Sequence, residues 1–113
     1  MKRRLRRRRA GEAPRQDLLG EAWAALRSSV LDSAGALAPS IRHEIYGGLP
    51  VKGAMGPFLD AVRRNPTGLG RPDVDTVKAA GHSEDEIFEA TLAAALGEAD
   101  RVLQAGLRVL PEP

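Results

Sequence analysis

Val77–Leu110 reads VKAAGHSEDEIFEATLAAALGEADRVLQAGLRVL, and this stretch decides the fold class. Ser83 stands three residues before Glu86. That spacing predicts a capping box, in which Ser83 accepts from the Glu86 amide while Glu86 reaches back to the amide of Ser83. Glu84, Asp85 and Glu86 also lie where the positive end of a helix dipole favours acids. Beyond them Ile87, Phe88, Thr91, Leu92, Ala95, Leu96, Ala99, Leu103, Gly106, Leu107 and Leu110 recur at three- and four-residue steps. Such a stripe is expected to face a core. Gly97 and Gly106 each cost a helix roughly 1 kcal/mol relative to Ala, so a kink or split near Gly97 is expected.

Upstream, Pro and Gly divide the chain into shorter helices. Gly81 ends a helix that Pro72 opens and that runs to Ala80, with Val74 and Val77 inward. Asn65–Arg71 reads as loop. Pro57 suits the first turn of a helix over Phe58–Arg64 that buries Phe58, Leu59 and Val62. Pro39 and Ser40 open another through Tyr46, with Ile41 and Ile45 inward, and Gly47-Gly48 stop it. Asp17 can cap a first helix, Leu18 to Asp32, with Leu19, Trp23, Leu26 and Val30 on one face. No segment shows the alternation of a strand. The expected fold is all-α, with about five helices and a long C-terminal one. Residues 16–113 form a single helical domain on this reading, behind a disordered basic tail at 1–15.

At 113 residues the chain can bury one modest core. Trp23, Tyr46, Phe58 and Phe88 are its only aromatics, so Ala, Leu, Val and Ile must supply the burial. Cysteine is absent, which removes disulfides and soft metal sites and suits a reducing cytoplasm. No apolar run approaches the ~20 residues that span a bilayer. The opening MKRRLRRRRA has no hydrophobic segment behind it and does not read as a secretory signal. Seven of the 17 cations lie in those ten residues, leaving ten against 15 acids, a net of −5 for the rest. An acidic body repels phosphate, so only the tail (Arg3, Arg4, Arg6, Arg7, Arg8 and Arg9) is a candidate polyanion-binding segment. Nothing aromatic is interleaved there to stack on bases. DNA retention that is salt-dependent and lost on deleting residues 1–10 would mark that role.

The segment AAGHSEDEIFEATLAAALGEADRVLQAGLRVL resembles the C-terminal helical part of the carboxymuconolactone decarboxylase-like, alkylhydroperoxidase D-like superfamily. Members show a small-residue pair with Gly, then Ser-Glu-(Asp/Glu)-Glu-Ile, an Ala-rich helix and a second Leu-rich stretch. The counterparts here are Ala79-Ala80-Gly81, Ser83 to Ile87, Thr91 to Leu96 and Val102 to Leu110. A further echo lies in Pro57–Asn65 and Pro72–Gly81. The resemblance implies the helical fold of that superfamily and assembly as trimers or hexamers. Its peroxidase-type members use a CxxC pair with a His and a Glu, placed shortly before the Ala-Ala-Gly element. Asn65–Asp73 occupies that neighbourhood here and holds neither thiol nor histidine. Peroxidase chemistry needs a thiolate, so it is excluded in this chain alone. The decarboxylase branch does not rely on thiols, though its Trp-Glu-Leu and His pattern is not visible.

His43, Glu44 and Tyr46 form the first candidate acid–base cluster. On a helix His43 and Tyr46 share a face, whereas Glu44 lies about 100° from His43. A solvated surface cluster is the plainer reading. His82, just before the Ser83 cap, is the second candidate. No metal site is read, because the two histidines are 39 residues apart and lack ligand spacing. No cofactor is read either: GGLPVKGAMG contains Lys52 but not the order of a phosphate loop.

Three functions therefore stand as expectations. The first is a non-redox oligomeric protein of the superfamily that self-associates through the C-terminal helix. The second is a thiol-independent decarboxylase on a small carboxylated lactone, with His43 or His82 as proton donor. The third is a polyanion-binding module. Apolar residues occupy more than half the circumference of the last helix, beyond the ~100° stripe of an ordinary surface helix. Four short partners are too small to cover that, which places a homo-oligomer interface between Ala90 and Leu107.

Overall fold

A computed structural model describes residues 15–110, and every regular element among them is helical. Helix α1 spans Arg15–Asp32, α2 Pro39–Tyr46, α3 Met55–Arg64, α4 Arg71–Ala79 and α5 Glu84–Val109. A single 3-10 turn, Pro66–Gly68, fills part of the expected loop before α4. The Arg-rich tail lies outside the described residues. Helix α1 starts at Arg15, so Asp17 falls inside it rather than before it. Helix α3 begins at Met55, three residues earlier than expected, and Met55 is itself buried. No helix among the described residues is long and apolar enough to cross a membrane.

The expected capping box is present. Ser83 Oγ accepts from the Glu86 amide at 3.1 Å, and Glu86 Oε1 accepts from the Ser83 amide at 3.0 Å. Gly81, at φ +109, supplies the left-handed turn between α4 and α5. Ser83→Ala should therefore cost about 1 kcal/mol. A thermal melt should show this as a fall of roughly 5 °C, and an unchanged midpoint would dissociate Ser83 from helix stability.

Helix α5 is the hub, lying along α2 and α3 and touching α1 and α4. Leu31, Leu37, Ile45, Met55, Phe58, Leu59, Val62 and Val77 close on Ile87, Ala90, Ala93 and Ala94 of α5. The α3 face matches its expected burial. Two expected faces do not. In α2 the inward residues are Arg42 and Ile45, whereas Ile41 is exposed. In α5 the buried side is Ile87, Ala90, Ala93, Ala94 and Gly97, while Phe88, Leu92, Leu103, Leu107 and Leu110 face outward. The stripe expected to face the core thus mostly does not. Its small-residue neighbour does, because Ala and Gly let backbones approach closely. Leu26 of α1, expected on the packed face, is exposed as well, and Leu31 is buried instead.

The expected split near Gly97 is absent, and α5 runs unbroken from Glu84 to Val109. Gly97 serves packing instead. A Cβ there would overlap the carbonyl oxygen of Tyr46 at the end of α2.

Candidate functional site

One buried polar group organises the junction of α1, α2 and α5. The Arg42 side chain is 2% exposed, and it spends its donors on main-chain carbonyls. Nε donates to Leu37 O at 3.1 Å, Nη1 to Val30 O at 2.8 Å, and Nη2 to Ser33 O. Glu89 of α5 completes the unit by accepting from the amides of Ala36 and Leu37 at 2.7 and 2.8 Å, with Arg42 Nε 4.0 Å away. The unit pins the α1–α2 connection onto α5. None of these guanidinium bonds reaches outward, so its work is structural. The sequence carried a faint signal only: Arg42 is three residues before the buried Ile45, on the same helical face.

Burial pushes the Glu89 carboxyl up, but the amides of Ala36 and Leu37 and the Arg42 guanidinium outweigh it and hold the group below its ordinary 4.5. A depressed folded-state value contributes stability above the unfolded value and loses it as pH falls through the folded one. Hydrogen bonding from His43 lowers Asp32 in the same way, and Lys78 lowers Glu84. Urea midpoints should therefore hold steady at neutral pH and fall as pH drops below 4.5. Glu89→Gln should flatten part of that fall, and an unaltered acid slope would exclude Glu89 as a contributor.

The expected His43, Glu44 and Tyr46 cluster is not assembled. His43 Nε2 lies 2.7 Å from Asp32 Oδ1 of α1, and both side chains are half exposed. Tyr46 turns the other way and its hydroxyl donates to Asp100 of α5. Burial, then the Asp100 carboxylate, pushes that phenol above its ordinary range. Glu44 is exposed. His82 sits with Nδ1 3.4 Å from Glu86 Oε1, beside the α5 cap. The two histidines thus belong to separate carboxylate pairs, one between α1 and α2 and one at the turn into α5.

Three clefts accompany these pairs, and other residues line them. A small apolar one of about 140 Å³ lies between α3 and α4, walled by Pro57, Phe58, Ala61, Leu69 and Val77. Its polar groups are committed: Asp73 accepts from the Gly70 amide at 2.8 Å, and the Thr76 hydroxyl donates to Pro72 O at 2.9 Å. A basic cleft of about 310 Å³ is formed by Gly47, Gly48, Asp60, Arg63, Arg64, Glu98 and Arg101. Beside it, a third of about 380 Å³ reaches Pro50, Val51 and Leu59 and shares Asp60, Arg63 and Arg64. Arg63 donates to Ile45 O at 3.0 Å and to Asp60 at 3.3 Å. Arg101 donates to Tyr46 O at 3.3 Å and to Glu98 at 3.1 Å. Both guanidiniums therefore cover the negative end of α2. With Asp60 and Glu98 beside them, they leave little field for an anion. Among the described residues no group of three or more His, Cys, Asp or Glu could hold a metal ion.

The largest unexplained surface is apolar. Phe88 and Val102 are each 63% exposed and Val109 is 81% exposed, with Leu103, Leu107 and Leu110 beside them. All residues from Arg101 to Leu110 are exposed. Soluble monomers rarely present so continuous a patch, which makes this face of α5 the candidate interaction site. Compared with known proteins, the chain matches no family model, no curated protein and no solved structure.

Proposed function

We propose that the chain is a non-redox, self-associating helical protein of the carboxymuconolactone decarboxylase-like, alkylhydroperoxidase D-like superfamily, with α5 as its subunit interface. The observation that carries this reading is the exposed apolar face of α5, which α1 to α4 leave uncovered. The absence of cysteine supports its non-redox half, since no sulfur nucleophile exists. Purified protein should show no peroxide reduction coupled to a dithiol, and turnover that survives removal of metals and contaminants would contradict the reading. Leu96→Glu combined with Leu103→Glu should break the assembly while far-ultraviolet circular dichroism stays helical. An intact oligomer in that variant would remove α5 from the interface.

The His43–Asp32 pair favours a second reading, a thiol-independent enzyme such as a decarboxylase of a small carboxylated lactone. The pair has the form of an oriented acid–base unit, because the carboxylate can fix the imidazole. On that reading the wild-type protein turns over a small carboxylated lactone and His43→Gln abolishes that turnover, and absence of turnover in the wild type rejects it.

A further inference from the structure

We infer that the α1–α2 connection is a carboxylate site whose resident ligand is Glu89, and that its occupancy decides how often α1 opens from a body that stays folded. This goes beyond the self-association proposed above and does not depend on it. The two Glu89 oxygens take one amide each, Ala36 on Oε2 and Leu37 on Oε1. Successive main-chain amides turned towards one point form an anion-binding concavity. Both amides precede Ala38, the N-cap of α2, so they are not the free donors of that helix's first turn. Gly35 makes the room. A Cβ there would lie 2.7 Å from both carboxylate oxygens, so the seat exists because this residue has no side chain. Behind it stands the Arg42 guanidinium, 2% exposed, with Nε 4.0 Å from Oε1. Two amides, a buried cation and an empty Cβ position suit the paired oxygens of a carboxylate.

Helix α1 is what the seat holds. Among the helices it touches only α2 and α5. Leu31 is its one buried side chain among those described, with Val30 packed beside it, while Leu18 and Leu26 are exposed. Every other buried residue of the core lies at Leu37 or beyond, so α2 to α5 close a core without α1. Trp23 is half-buried, but its Nε1 finds no acceptor among the described residues, and an unmet buried donor weakens the closed position. Polar bonds therefore matter to α1 as much as apolar contact does. Arg42 holds the carbonyls of Val30 and Ser33 from α2, and Glu89 holds the connection from α5. The Asp32–His43 pair is half exposed and adds little. A segment with so few buried apolar side chains opens at lower free energy than the core, and the carboxylate seat sets how much lower.

Native-state hydrogen exchange on the full chain in low urea tests the opening, and acetate tests the site. In the wild type the amides of α1 should exchange roughly tenfold or more faster than those of Ala90, Ala93 and Ala94, with a weak urea dependence. The α5 amides should follow the steep dependence of global unfolding. Amides of α1 that share the rate and the urea dependence of α5 would overturn the opening, and this measurement needs no variant to fold. Glu89→Ala should speed α1 exchange by about tenfold. The atoms it removes beyond Cβ are those of acetate, so added acetate should slow that exchange again while chloride at equal ionic strength does not. Acetate should leave the wild type unchanged, because the tethered Glu89 carboxylate outcompetes a free one. Gly35→Ala added to Glu89→Ala should abolish the acetate response. Equal responses to acetate and chloride in Glu89→Ala would overturn the carboxylate site, and so would an acetate response that survives Gly35→Ala.

Discussion

Gly97→Ala should destabilise the chain by about 2 kcal/mol, although the same exchange on an exposed helix stabilises by roughly 1 kcal/mol. The two effects have opposite sign, so the outcome decides which governs this position. Propensity alone treats Gly97 as a flaw in α5. The packing places its Cα against the carbonyl oxygen of Tyr46, where an added methyl would overlap main-chain atoms rather than a movable side chain. Relief then requires α2 to separate from α5, which opens the contact beside Ile45 and Ala94. Equilibrium urea unfolding measures it directly. An increase in stability would show that α2 does not approach α5 as described. Gly106→Ala is the matched control, with open space around it and an expected gain in helix stability in the monomer.

Arg42→Met should cost about 3 kcal/mol or more, the largest effect of any single exchange proposed for this chain. Methionine keeps much of the aliphatic volume but removes every donor. The carbonyls of Val30, Ser33 and Leu37 lose their side-chain partner, and Glu89 keeps its two amides without a nearby cation. Stranding a buried charge costs more than the pair contributed. Adding Glu89→Gln to Arg42→Met should therefore cost clearly less than the two single changes summed, a coupling that a double-mutant cycle reads. Strict additivity would mean that the two groups do not act as one unit.

What the sequence made legible follows from how local each feature is. The Ser83–Glu86 box is a matter of three residues, and it stands as read. The inward Phe58, Leu59 and Val62 of α3 follow from a narrow stripe with one possible face. Helix α5 has no such restriction, since it is apolar around most of its girth. Which side meets the body is set by what docks on it, and the close approach of α2 selects the Ala90, Ala93, Ala94 and Gly97 side. In α2 hydrophobicity ranks Ile above Arg and favours Ile41 as the inward residue. The three free carbonyls at the end of α1 and in the α1–α2 connection reverse that order by giving Arg42 a fully bonded place. The histidines illustrate the same limit. Their residue types are visible in the sequence, but Asp32 and Glu86 as partners arise from helix contacts and from the turn before α5. The superfamily resemblance rests on the α5 region, which is also where the proposed interface lies.

The central claim is that the exposed face of α5 is covered by another copy of this chain. Multi-angle light scattering on the cysteine-free wild-type protein at micromolar concentration tests it most directly. The mass should be at least twice the 12.1 kDa of one chain, and it should fall towards one chain in the Leu96→Glu, Leu103→Glu variant. A wild-type mass of 12.1 kDa across that concentration range would contradict it.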